Sequence, residues 1–246
     1  NRVPSGKEAI ACVDLARKNG FENLSVDFIY GIPTLTDEKW QQNLEWTVDK
    51  KIPHISAYAL TVEPGTALDF FIRKGKYRPV SDAKAETHFM RMTKFLEEKG
   101  YEHYEISNLA LPGKYAKHNT AYWSGEKYLG LGPSAHSFDG KSRQWNVASI
   151  IGYIDGIQKQ QLDFEKEVLL ESQRLNEYIM TSIRTIWGMD LRKVSLEFND
   201  DLYRKLLNNL DEFDDQGFLL NEADKIFLTP KGKLFADKIA TELFVD

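Results

Sequence analysis

The strongest constraint on this chain is an alternation repeated twice in its first sixty residues: a capped amphipathic segment, a glycine or proline stop, and a short apolar run. Ser5-Gly6-Lys7-Glu8 has the form of a capping box, with Ser5 at the N-cap and Glu8 placed to reach back. Ala9, Val13 and Ala16, flanked by Ile10 and Cys12, then fall at helical spacing, and Gly20 stands where a helix ends. Residues 24–30 are mostly β-branched or aromatic, the pattern of a buried strand, and Gly31-Ile32-Pro33 breaks them off. Thr36 caps a second segment with Trp40, Leu44 and Val48 on one face, Ile52-Pro53 stops it, and residues 54–60 read as a second strand. This spacing predicts βα units feeding a parallel sheet, with residues 24–30 and 55–61 as adjacent parallel strands.

The pattern changes further along. A helix is predicted at residues 82–99, with Phe89, Met92 and Leu96 facing the core and Gly100 closing it. Residues 101–147 hold short β-like pieces (103–106, 128–131, 143–146) among Gly, Pro, Asn and His, an irregular region of the kind where sites are built. Helical periodicity returns at residues 171–186 and 200–216. A hairpin of residues 218–220 and 226–228 follows, and Thr229-Pro230 starts a last helix at 231–243. The expected organisation is an α/β part at 1–100, an irregular α+β region at 101–165, and a small helical, winged-helix-like domain at 166–246.

Charge and cysteine content narrow the function classes. Residues 1–165 carry equal numbers of acidic and basic side chains, so residues 166–246 supply the whole formal charge of −5. An acidic tail repels phosphate backbones, which argues against nucleic acid as a partner. The single cysteine, Cys12, excludes an internal disulfide and a multi-cysteine metal cage within these residues, and its place on the apolar stripe suggests inert packing. With no apolar run of membrane-spanning length and no export signal at the start, the expected location is the cytosol. The opening Asn1-Arg2, without an initiator Met, suggests a piece of something longer.

Several residues could carry chemistry. Asp27 alternates with Val26 and Phe28 in an apolar strand, so it points to the opposite face. There it either bonds to backbone or an arginine, or holds a ligand hydroxyl or amine. Arg2 is either solvated surface or a ligand contact. The string His118-Asn119-Thr120-Ala121-Tyr122-Trp123 combines an imidazole, an amide and two large aromatics. It is either a loop stapled to the core or the wall of a site for a flat macrocycle with an imidazole ligand. Gly130 and Gly132 lack the spacing of a phosphate loop and read as room for close packing, with His136 exposed or satisfied in a turn. His54, His88 and His103 have no companion at metal-ligand spacing and read as satisfied residues, so no protein-bound metal is expected here.

Taken in order, the strings resemble a family. Asp27-Phe28-Ile29-Tyr30-Gly31-Ile32-Pro33, the stretch from Tyr58 to Thr66 with its Glu63-Pro64-Gly65, Tyr104-Glu105-Ile106-Ser107-Asn108, and Gly130-Leu131-Gly132-Pro133-Ser134-Ala135-His136-Ser137 follow the order seen in the radical-SAM, oxygen-independent coproporphyrinogen III oxidase-like proteins. The His118–Trp123 string resembles that of the family's heme-chaperone (HemW) branch. The resemblance implies the second half of a partial (β/α) barrel followed by the winged-helix-like domain. It implies S-adenosylmethionine contacts at Arg2 and Asp27, and heme contacts at His118, Asn119, Tyr122 and Trp123. It further implies a [4Fe–4S] cluster on a CxxxCxxC loop upstream of this chain, which Cys12 cannot replace, so these residues alone are expected to hold no cluster and to be inactive. The implied function is heme binding and delivery to an acceptor protein. The alternative is oxidative decarboxylation of coproporphyrinogen III.

Overall fold

The computed structural model describes residues 5–214 and 217–246, which gather into two compact units, residues 1–115 and 116–246. Arg2 lies outside the described residues.

The first unit contains α1 (Gly6–Lys18), β1 (Ser25–Tyr30), α2 (Asp37–Asp49), β2 (His54–Ala59), α3 (Ala67–Arg73), α4 (Asp82–Glu98), β3 (Glu102–Glu105) and β4 (Asn108–Ala110). Its sheet runs β1-β2-β4-β3, with β1 an outer strand. β1 and β2 are adjacent and parallel, in register from Ser25 opposite His54 to Tyr30 opposite Ala59, as the spacing predicts. β4 and β3 instead run antiparallel to their neighbours. Only Ile106 and Ser107 separate β3 from β4, and a connection that short permits only a hairpin.

Helix starts in this unit follow their caps. Ser5 and Glu8 form the reciprocal capping box, and Thr36, Thr66 and Ser81 each accept a backbone N–H from the first turn of α2, α3 and α4. The apolar side of the sheet packs on α2 and α4 through Trp40, Leu44, Phe89, Met92 and Leu96, all buried. Trp40 meets Phe28 edge-on at 5.6 Å and donates its indole N–H to the His88 carbonyl at 2.9 Å. α1 departs from expectation. None of its residues is buried and Cys12 is exposed rather than packed; Ile10 and Leu15 are exposed as well, and only Val13, Ala16 and Arg17 among the last two turns are partly covered.

The second unit contains α5 (Lys117–Trp123), β5 (His136–Phe138), β6 (Ser142–Asn146), α6 (Ile150–Gln158), β7 (Phe164–Val168), α7 (Glu171–Ser182), β8 (Met189–Asp190), α8 (Leu191–Glu197), α9 (Asp200–Asp214), β9 (Leu219–Glu222), β10 (Lys225–Leu228), α10 (Pro230–Lys233) and α11 (Ala236–Glu242). One antiparallel sheet is β5-β6-β7 and the other is β8-β10-β9, which includes the predicted hairpin. Leu175, Ile179, Met189, Val194, Leu206, Ile239 and Leu243 form the core.

Several boundaries differ from those read in the sequence. α7 stops at Ser182 rather than residue 186, and the last helix is two short ones around Leu234 and Phe235. Pro230 does take the first helical position, with Thr229 as cap. Of residues 128–131 only Tyr128 pairs, as a bridge to Phe138. Gly130 is required there because a Cβ would lie 2.1 Å from the His136 carbonyl oxygen.

Candidate functional site

Two places bring chemistry-bearing residues together, one in each unit. The first is the polar face of the β1-β2-β4-β3 sheet, opposite the helices. Strand alternation puts Ser25, Asp27 and Ile29 on this face of β1, all exposed, while Val26, Phe28 and Tyr30 turn toward α2. The pairing Asp27–Ser56–Asn108 then forms one row across three strands.

Buried hydrogen bonds hold this row. The Ser56 hydroxyl donates to Asn108 Oδ1 at 3.0 Å, and Asn108 Nδ2 donates to Glu105 Oε2 at 2.6 Å. The same carboxylate oxygen accepts the Ser107 N–H at 3.0 Å. Glu105 is 2% exposed and Asn108 2%, so the hydrogen bonds replace water that neither group can reach. A register shift between His103 and Glu105 makes this possible, since the extra residue re-aims the side chains that follow it.

Beside it lies a second row. His54 Nδ1 is 2.7 Å from Ser25 Oγ, and His54 Nε2 is 2.7 Å from the Tyr104 hydroxyl. Burial pushes the His54 pKa below the ordinary histidine value, and the negative charge of Asp27 offsets part of this. The Tyr104 ring stacks on Tyr115 at 4.6 Å, and Tyr115 donates its hydroxyl to Glu102. Burial, reinforced by that carboxylate, pushes the Tyr115 hydroxyl up to about 12.

The second place is α5 and the cleft beside it. The string read as irregular is a two-turn helix. His118 and Tyr122 stand one turn apart on its surface with ring centroids 4.9 Å apart, edge to face. Tyr122 continues to Tyr128 at 4.8 Å, and Tyr128 to Phe138 at 6.0 Å, making a ladder of aromatic contacts. Next to it opens a cleft of about 640 Å³ lined by Tyr122, Trp123, Phe138, Arg143, Glu177 and Tyr178, among others. That volume is in the range of small-molecule sites.

His118 and Asn119 do not line this cleft. His118 is exposed at the far end of the ladder, and Asn119 is half-buried. Trp123 is half-buried under the Arg184 guanidinium, 5.5 Å from its ring, and its indole N–H is buried without a hydrogen-bond partner. Arg143 pairs with Glu177 at 2.9 Å. Burial nonetheless pushes the Glu177 carboxyl above its ordinary value, against the pull of Arg143.

Ser56, Arg143 and Glu177 were not singled out from the sequence, and Glu105 and Asn108 appeared there only as part of a string. Ser56 is 52 positions from Asn108, and Arg143 pairs with Glu177 well along the chain, so only the local string holding Glu105 and Asn108 signalled any of them.

Comparison with known proteins places the chain. Residues 169–235 match the model of the HemN C-terminal domain. A protein of Bacillus subtilis named heme chaperone HemW is 32% identical over 244 residues, covering 97% of this chain and 63% of the relative. A zebrafish (Danio rerio) protein named radical S-adenosyl methionine domain-containing protein 1, mitochondrial, is 36% identical over 135 residues, covering 55% of this chain and 30% of the relative. The solved structure of coproporphyrinogen III oxidase (HemN) from Escherichia coli, described as a radical SAM enzyme, superposes over 100% of this chain and 60% of its own, with a TM-score of 0.76 at 19% identity. The chain thus spans a little over 60% of the length of the Bacillus relative. Its ordered strings, its HemN-like fold and these relatives agree: over nearly its whole length the chain is similar to proteins named heme chaperone HemW, and residues 169–235 match the HemN C-terminal domain.

Proposed function

We propose that the whole protein binds heme and passes it to an acceptor protein, with S-adenosylmethionine and a [4Fe–4S] cluster as accessory ligands. The observation that carries this reading is α5, whose His118-Asn119-x-x-Tyr122-Trp123 string joins an exposed imidazole to an aromatic-walled cleft through Tyr122. Imidazole is a common axial ligand of heme iron, and aromatic faces suit a flat macrocycle. Asn119 lies one turn from Trp123 on α5, and its amide would reach a ligand only at the edge of the site. Nucleic acid has no part in this reading.

The accessory ligands fit unequally. Asp27 is exposed on a sheet face with hydrogen-bonding groups beside it, which suits the amine and hydroxyl donors of S-adenosylmethionine, and Arg2 would be its second contact. The cluster does not fit the described residues: Cys12 is exposed on α1, and no group of three or more Cys, His, Asp or Glu among them could hold a metal. The family's cysteine loop is expected upstream, and no step is assigned to the cluster here. Among the described residues no helix is long and apolar enough to cross a membrane.

Hemin titration of the full-length protein, followed by the Soret band, tests the proposal. We expect His118→Ala to weaken or shift the spectrum of binding and Trp123→Ala to weaken it. Identical titrations for the wild type and both variants would remove the heme role from α5. The fold likeness to coproporphyrinogen III oxidase supports one other reading, and anaerobic turnover of coproporphyrinogen III by the full-length protein would establish it instead.

A further inference from the structure

His88, fully buried on α4, has both ring nitrogens assigned by hydrogen-bond chemistry. Its Nδ1 lies 3.2 Å from the Gly31 backbone nitrogen, and its Nε2 lies 3.1 Å from Asp37 Oδ1. A backbone N–H only donates and a carboxylate only accepts, so Nδ1 is bare and Nε2 carries the proton. The imidazole thus ties α4 to both ends of the connection between β1 and α2: to Gly31 where the strand stops, and to Asp37 where the helix starts. Lys84, one turn earlier on α4, adds a tie by donating to the Pro33 carbonyl at 3.0 Å. Trp40 fixes the ring plane, stacked on the imidazole at 5.8 Å with its N–H on the His88 carbonyl. Gly31 is buried at φ +73°, a conformation that glycine adopts without strain, and a Cβ there would come within 3.2 Å of the Ala85 side chain.

We propose that His88 is a proton-operated latch on residues 31–36: neutral, it holds this loop against α4 through the Gly31 N–H; protonated, it releases Gly31 while staying paired with Asp37. The two sides of the ring respond oppositely. A proton on Nδ1 sets two N–H donors head to head, and the buried Gly31 has no water to turn to, so its backbone must move. The same proton makes the ring a cation and strengthens its bond to the Asp37 carboxylate. The charged groups facing the ring among the described residues are Asp37 on α2 and Lys84 and Arg91 on α4, with Arg91 3.6 Å from Asp37 Oδ2. Burial, joined by the two cations, favours the neutral imidazole and Asp37 favours the charged one, and the balance lies below the ordinary histidine value. The latch is therefore closed at neutral pH and opens in acid. Residues 31–36 leave the carboxyl end of β1, the end of parallel strands where α/β sheets bind ligands, so release changes access there.

Hydrogen exchange of the full-length protein, followed by mass spectrometry over residues 31–36, tests the latch. His88→Asn separates the two states, since its side-chain oxygen can accept from Gly31 in place of Nδ1 and does not titrate. Comparing proteins at one pH cancels the intrinsic exchange rates. Wild type and His88→Asn should exchange within about threefold of each other at about pH 7.5. At about pH 5 the wild-type loop should exchange about tenfold faster than that of His88→Asn, the size of one hydrogen bond, while residues 55–59 of β2 stay equal in the two proteins. His88→Leu, with no acceptor, should already be about tenfold faster than wild type at about pH 7.5. Equal loop rates in wild type and His88→Asn in acid overturn the proposal, as does an equally large gap in β2, which would mean that the whole unit loosens. A His88→Leu loop as slow as wild type at neutral pH overturns it too. Where a substitution prevents folding, the wild type alone decides. Its acid step in loop exchange must share a midpoint with the His88 ring titration followed by NMR, and a different midpoint overturns the latch.

Discussion

Trp40 in the first unit and Trp123 in the second carry the same indole into contrasting surroundings. Trp40 is fully buried, touches the rings of Phe28, Tyr30 and His88, and donates its N–H to a carbonyl. Trp123 is half-buried at the edge of an open cleft, beneath a guanidinium, with its N–H unpartnered. The same contrast holds for the buried polar groups around them. Glu105, Asn108 and Ser56 satisfy one another across the sheet, while Arg143 and Glu177 pair at a partly exposed cleft wall. A closed network of this kind fixes the direction of every donor and acceptor in it. An open wall with a spare donor leaves groups for something else to meet, and desolvated, incompletely paired groups are typical of binding surfaces.

The largest expected effect tests the two tryptophans directly. Trp40→Ala should lower the stability of the first unit by about 3–5 kcal/mol. Trp123→Ala should lower that of the second by about half as much or less, since part of its surface already faces water. Urea denaturation read by circular dichroism would measure both, and equal losses would break the comparison.

Next in size are the polar groups. Asn108→Leu leaves Glu105 and Ser56 without their partner, at about 1–3 kcal/mol for each stranded group. Arg143→Met should remove less than about 1 kcal/mol, because the pair it breaks is partly exposed. If the two substitutions proved equally costly in the same denaturation experiment, the closed network would have no special standing.

Acidity should separate the units by sign. His54 and His88 have pKa values held below the ordinary histidine value, in each case chiefly by burial. The unfolded chain therefore binds protons first, and their contribution to stability is present above about pH 6.5 and is lost as pH falls below it. Glu177 has its carboxyl raised, again by burial. The folded state there holds the proton more tightly, so its contribution is present below the ordinary glutamate value and is lost as pH rises through the folded one. Unfolding midpoints from pH 4 to 8 for wild type and for His54→Phe would show whether the acid loss flattens when that histidine is removed. An unchanged slope would refute the assignment to His54.

The smallest effect sharpens the contrast. Trp123→Phe keeps a ring and deletes the unpaired N–H, so stability should stay within about 0.5 kcal/mol of wild type or rise. Trp40→Phe, which deletes a buried N–H···O bond and shrinks a fully buried ring, should cost about 1–3 kcal/mol. A marked loss in Trp123→Phe, seen in the same unfolding midpoints, would mean that its N–H has a partner in solution.

Much of the first unit could be read along the chain, because its signals are local. Ser5, Thr36 and Ser81 begin helices where their side chains accept the first free N–H groups. Alternation alone placed Asp27 opposite Val26 and Phe28. The second unit was read less well for the same reason. α5 begins after Ala116, with no polar side chain to announce it, and its Asn, Thr, Tyr and Trp favour helix weakly. α6 is apolar almost throughout, with Ile150, Ile151, Ile154 and Ile157 exposed, so it has no polar face to reveal a helical period.

What the sequence by itself determined is the resemblance to heme-chaperone relatives, the capped helices, the parallel β1–β2 pair and the face on which Asp27 stands. Each depends on residues within a few positions of one another or on strings whose order survives along the chain. The tertiary structure alone decided that β3 and β4 close the first sheet antiparallel, that a bulge turns Glu105 onto the row of Asn108 and Ser56, and that Tyr122 and Trp123 meet Arg143 and Glu177 around one cleft. Ser56 and Asn108 are 52 positions apart. Their bond exists only once register is set, and register is set by the burial of an entire face, which no local pattern contains.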